Sequence, residues 1–263
     1  DIVIFASGIS PSLEGEEMGV NLPGFKKGDR TDIELPAVQR ELIDALHRAG
    51  KKIILVNCSG SPIGLEPETQ KCEAILQAWY PGQQGGKAVA EVLFGDYNPA
   101  GKLPVTFYRN VSQLPDFEDY NMTGRTYRYM QDVPLFPFGY GLSYTTFGYG
   151  KTVFDKNELT AGQSLKLTVP VTNTGKRNGE EVVQVYLRKQ GDAEGPIKTL
   201  RAFKRVSIPA GKTVNVEFDL KDKELEWWDD QSNTVRVCPG NYDIMVGGSS
   251  KEEDLQRTTI AIK

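Results

Sequence analysis

Apolar positions along the first hundred residues switch between two periods. Ile2-Val3-Ile4-Phe5-Ala6 and Ile53-Ile54-Leu55-Val56 are unbroken apolar runs of strand length, as expected of parallel strands buried on both faces. Between them Leu35, Val38, Leu42, Ile43, Ala45 and Leu46 recur at helical spacing. Pro36 suits the first turn of that helix and Gly50 its stop. Residues 74–79 read as a third strand, and the Pro- and Gly-rich stretch 81–86 turns into a helix over 87–94. Strand and helix alternate, which predicts an α/β sandwich-type domain over residues 1–108, partial and with a mostly parallel sheet. Over 109–149 no period persists; prolines, glycines and aromatics crowd together in an aromatic-rich connecting segment too apolar for a free linker. From 150 to 263 strict alternation takes over, with Leu165, Leu167, Val169 and Val171, then Val183, Val185 and Leu187, then Val214, Val216, Phe218 and Leu220 on one face. About seven short strands in that stretch predict an all-β fibronectin type III-like sandwich.

Composition narrows the partners. The 263 residues carry 31 Lys and Arg against 35 Asp and Glu, a formal charge of -4. There is no basic surplus for a nucleic-acid backbone, and no apolar run approaches the roughly 20 residues of a membrane-spanning helix. Cys58, Cys72 and Cys238 lack metal-ligand spacing and His47 is the one histidine, so neither a metal nor a cofactor is expected. Apolar neighbours such as Val56 and Val237 predict buried, inert thiols. The chain opens at Asp1, directly before an apolar run, and reads as a piece of a longer polypeptide.

Candidate chemistry concentrates after the first strand. Glu14, Glu16 and Glu17 follow its carboxyl end, where open α/β sheets place their sites. Acids this close repel one another, which lets one hold its proton as a general acid must; the plain alternative is a solvated acidic loop. Arg30, in the turn Gly28-Asp29-Arg30-Thr31-Asp32, has the forked donors to grip a carboxylate or sugar hydroxyls, or else pairs locally with Asp29 or Asp32. Gly82, Gly85 and Gly86 lie between strand and helix without a phosphate-loop pattern, and a tight turn explains them. His47 sits mid-helix with no nucleophile elbow in the chain. The aromatics of residues 120–149 suit either stacking on sugar rings or packing between domains.

Five segments, in order, carry a resemblance: residues 10–17, 28–36, 79–86, 95–104, and 125–129 continuing through 137–144. With them the chain resembles the C-terminal part of a family 3 glycoside hydrolase, the β-glucosidase and β-xylosidase family, and most of all its bacterial xylosidase-type members. The resemblance implies a barrel bearing an aspartate nucleophile, a six-stranded α/β sandwich bearing the acid/base glutamate, and a fibronectin-like domain; only the later portion of the second and the whole of the third are expected here. By position Glu14 resembles the acid/base, with Glu16 as the fallback, and Arg30 is the candidate substrate-binding residue. Such enzymes retain configuration through a covalent glycosyl-enzyme, with two carboxyls about 5 to 5.5 Å apart. The implied partners are an oligosaccharide or aryl β-glycoside and the N-terminal barrel of the same protein. A periplasmic or extracellular location is implied too. The competing reading is a non-catalytic carbohydrate-binding or scaffolding module. A flavodoxin-like ligand domain is disfavoured by the absence of phosphate-loop residues.

Overall fold

Strand β1 (Ile2–Gly8) pairs in parallel with β2 (Lys52–Cys58), and β2 with β3 (Ala74–Gln77), in the order β1-β2-β3. Helix α1 (Ala37–Arg48) starts after Pro36 and ends at Gly50, whose φ of +67° breaks the helical course. It buries Ile43 with Ile53 and Leu55 of β2. Ile9, Phe25, Leu35, Ile63 and Leu65 complete that core, each such side chain contributing about 1.5–3 kcal/mol by leaving water. Helix α2 (Gly85–Phe94) follows a turn closed by Gly85 N–H donating to the Gly82 carbonyl, 2.9 Å. A Cβ on Gly85 would lie 2.3 Å from Pro81 Cβ, so the glycine serves the tight turn.

These elements belong to one of two compact units, comprising Asp1–Tyr97, Val105–Gly124 and Asp132–Phe136; the other comprises Asn98–Pro104, Arg125–Gln131 and Pro137–Lys263. The structure, a computed structural model, describes residues 1–14 and 18–263. Segment 109–149 is divided between the units. In the first, Phe107 is 1% exposed, bridges to Phe136 and meets the rings of Trp79 and Phe136 edge-on.

The second unit is two-layered. Its elements include α3 (Thr126–Tyr129), β4 (Phe147–Tyr149), β5 (Val153–Phe154), β6 (Glu158–Leu159), β7 (Leu165–Asn173), β8 (Gly179–Lys189), β9 (Thr199–Ile208), β10 (Thr213–Leu220), β11 (Trp227–Asp229), β12 (Thr234–Arg236), β13 (Gly240–Gly247) and β14 (Gln256–Ile262). One sheet runs β9-β8-β13-β14-β6; the other runs β10-β7-β4, with β5 also on β7. Leu165, Leu167, Val169, Val171, Val183, Val185 and Leu187 are all 0–1% exposed, so the alternation read from sequence is the core. Asn173 ends β7 fully buried: its Nδ2 donates to the carbonyls of Arg177 and Ile208, and its Oδ1 accepts from Thr145 Oγ1 and Gly175 N–H.

Three expectations are corrected. The first strand is not buried on both faces, since Ile2 is 63% and Ile4 50% exposed; among the described residues β1 has a strand neighbour on one side only. Of the thiols only Cys238 is buried, whereas Cys58 and Cys72 are half-buried; burial, with Glu68 nearby, still pushes the Cys72 thiol up to about 11. Val38 and Leu42, counted with the apolar face of α1, are exposed. No helix among the described residues is long and apolar enough to cross a membrane.

Candidate active site

The three parallel strands end together, with a row of polar residues at or one residue before their ends. Ser7, Asn57 and Gln77 stand in one register row across the sheet. Asn57 is fully buried; its Nδ2 donates to Gln77 Oε1 at 2.6 Å and to Ser59 Oγ at 3.2 Å, and Ser59 Oγ donates to the Ser61 carbonyl at 2.8 Å. Such buried polar groups are costly unless paired. Pairing here fixes the loop that leaves β2.

The loop leaving β1 is fixed differently. Gly8 has φ +132°, and a Cβ there would lie 1.8 Å from the Cys58 carbonyl oxygen, so no other residue fits. Gln39 of α1 clamps that glycine from both sides: it accepts from Gly8 N–H at 3.1 Å and donates to its carbonyl at 2.8 Å. Beyond it, Leu13 and Glu14 N–H both donate to the Ser10 carbonyl, a single helical turn that carries Glu14.

Glu14 meets residues from the ends of the other two strands. Ser61 Oγ donates to Glu14 Oε1 at 2.5 Å, and the Tyr80 hydroxyl, following β3, donates to Oε2. That hydroxyl also lies 2.9 Å from the Ile9 carbonyl, so its one proton serves two acceptors. Behind Ser61 stands Arg30, whose Nη1 donates to Ser61 Oγ at 3.3 Å and Nη2 to the Glu34 carbonyl at 3.0 Å. A chain of donors thus runs from a guanidinium through a hydroxyl to a carboxylate. Burial lowers the pKa of Arg30, opposed by the charges of Glu14, Asp32 and Glu34; Tyr80 is pushed up to about 12 by burial and its hydrogen bond to Glu14. At Gly60 an added Cβ would come within 2.6 Å of the Tyr80 ring and 2.9 Å of Glu14 Oε2. Trp79, at φ +57°, is a left-handed residue immediately before Tyr80, and strain of this kind gathers at functional sites.

Of the residues singled out from sequence, the structure brings Glu14 and Arg30 together through Ser61. Arg30 forms no ion pair with Asp29 or Asp32; its Nε is buried and has no acceptor among the described residues. Glu16, the fallback, and Glu17 lie outside the described residues. His47 is exposed in the last turn of α1. Ser61 and Tyr80 were not singled out, although both follow a strand's carboxyl end, the feature that drew attention to Glu14. A concavity of about 200 Å³ near Arg40, lined by Phe25, Asp32, Glu34 and Leu35 among others, does not include Glu14.

Residues 1–144 match the model of the glycosyl hydrolase family 3 C-terminal domain, and residues 181–250 that of a fibronectin type III-like domain. A xylan 1,4-beta-xylosidase of Xylanibacter ruminicola is 59% identical over 260 residues, covering 99% of this chain and 30% of that protein. A periplasmic beta-glucosidase of Salmonella typhimurium is 38% identical over 252 residues, covering 91% of the chain and 32% of that protein. Among solved structures, a β-glucosidase from Erythrobacter marinus superposes with a TM-score of 0.84 at 39% identity, covering all of this chain and 34% of the other. A beta-glucosidase from Listeria innocua in complex with glucose does so at 0.83 and 28% identity, covering 36% of that chain. The chain spans about a third of the length of these relatives.

Proposed function

This chain belongs to glycosyl hydrolase family 3, and on that premise we propose that Glu14 is the acid/base carboxyl of a retaining, exo-acting β-glycosidase whose nucleophile lies on an N-terminal barrel outside these residues. The observation that carries the reading is the convergence on Glu14 of Ser61 and Tyr80 from the ends of neighbouring parallel strands. As an acid, Glu14 protonates the leaving glycosidic oxygen; as a carboxylate, it then draws a proton from the water that releases the sugar. Each carboxylate oxygen accepts one hydrogen bond from Ser61 or Tyr80, so a further lone pair stays open for the transferred proton. Arg30 is the proposed substrate-side residue, held beside Glu14 through Ser61.

Identity with a xylan 1,4-beta-xylosidase supports β-xylosides as the substrate over β-glucosides. The exposed edge and side chains of β1 support a larger sheet, continued by residues outside this chain. A relative named for the periplasm supports export of the whole protein. The test is chemical rescue: in the full-length enzyme, Glu14→Gln cleaves an aryl β-xyloside with a good leaving group to the glycosyl-enzyme, and added azide accelerates turnover and yields a β-glycosyl azide. Absence of the azide adduct, with turnover unchanged from the parent enzyme, would overturn the assignment.

A further inference from the structure

Strand β9 begins irregularly. Val185 pairs with Ala202 and Tyr186 with Leu200, so Arg201 is the extra residue of a β-bulge. Bulges of this kind re-aim a side chain, and Arg201 is turned over the Trp227 ring, 5.6 Å to its centroid, with Nη2 donating to the Glu226 carbonyl at 2.7 Å. The α3 turn is stitched to the same end of β9. Ile197 N–H donates to the Arg128 carbonyl at 2.7 Å and Leu200 N–H to the Tyr127 hydroxyl at 3.1 Å. Arg128, from that turn, contacts the Tyr129 ring, and among the described residues its side chain forms no ion pair or hydrogen bond.

On these two stretches three buried side-chain atoms have no partner among the described residues: Arg128 Nε, Arg201 Nε and, two residues before Arg201, Thr199 Oγ1. Two guanidinium groups are half-buried here, and among the described residues neither is in an ion pair. Burial, and then the neighbouring charge of Arg128, lowers the pKa of Arg201; the partial compensation comes from Tyr127, Glu226 and Tyr242. Two like charges withdrawn from water are unfavourable without a counter-charge. Forked guanidinium donors match the paired oxygens of an oxyanion.

We infer that Arg128, Arg201 and Thr199 form a binding site for a small oxyanion, a tetrahedral inorganic anion or the carboxylate of a sugar acid. The site lies in the second unit and shares no residue with Glu14, so it stands or falls apart from the catalytic reading. The test is calorimetric titration of the 263-residue chain at fixed ionic strength, with sulfate in one arm and glucuronate in the other, chloride serving as the control. Saturable binding of either anion is expected, sulfate alone identifying an inorganic ligand and glucuronate alone a sugar carboxylate. Arg128→Met, which removes a side chain that makes no hydrogen bond, is expected to weaken binding about tenfold or more, equivalent to about 1.4 kcal/mol. Thr199→Val keeps both charges and is expected to weaken it less. Absence of saturable binding by both anions, or binding undiminished in Arg128→Met, overturns the inference.

Discussion

At the scale of single residues, the arrangement around Glu14 turns on two hydroxyl donors. Ser61 and Tyr80 each donate to one oxygen of the Glu14 carboxyl group and so fix where it points. In the full-length enzyme, Tyr80→Phe and Ser61→Ala are each expected to lower kcat by about tenfold to a hundredfold with KM little changed, and the double variant to lower it further, because the carboxyl loses its placement. Steady-state kinetics with a substrate whose cleavage needs acid assistance check this, and an unchanged kcat in the double variant would contradict the geometry. Gly60 has a steric role beside them. Gly60→Ala drives a methyl group against the Tyr80 ring and Glu14, with an expected stability cost of about 1–3 kcal/mol and a loss of activity, read by urea unfolding and by kcat.

At the scale of elements, the strand ends decide where the site can form. Gly8→Ala places a Cβ onto the Cys58 carbonyl, a clash with backbone that no side-chain rotation relieves. The expected result is destabilisation of the first unit by about 3 kcal/mol or more, measured by hydrogen exchange in β1 and β2. Asn57→Ala takes from Gln77 Oε1 its buried donor and from Ser59 Oγ one of its two, the other coming from Gln77 Nε2, at an expected cost of about 1–3 kcal/mol. Much of this architecture was legible. The uninterrupted apolar run of β2 and the period-2 patterns of β7, β8 and β10 report burial directly, because a residue's face follows from the strand period. What escaped was non-local. The exposure of Ile2 and Ile4 depends on which chains flank β1, and no pattern inside the strand encodes that. Ser61 and Tyr80 are ordinary turn residues until the parallel register brings their loops to Glu14, and the bulge at Arg201 leaves no mark on the alternation around it.

At the scale of the whole molecule, the chain carries two units with separate cores, and a retaining mechanism needs two carboxyls about 5 to 5.5 Å apart. In the proposed reading the second carboxyl is not on these residues. The 263-residue chain by itself is therefore expected to show no turnover of an aryl β-xyloside or β-glucoside above the buffer rate. The central claim, that Glu14 is the acid/base, is tested most directly by leaving-group dependence in the full-length enzyme. Aryl β-xylosides of increasing leaving-group pKa are compared for the parent enzyme and Glu14→Gln. The account predicts that the variant loses about 10²- to 10⁴-fold on poor leaving groups and far less on the most acidic ones, which depart without a proton. A uniform loss across the series, or no loss at all, would contradict it.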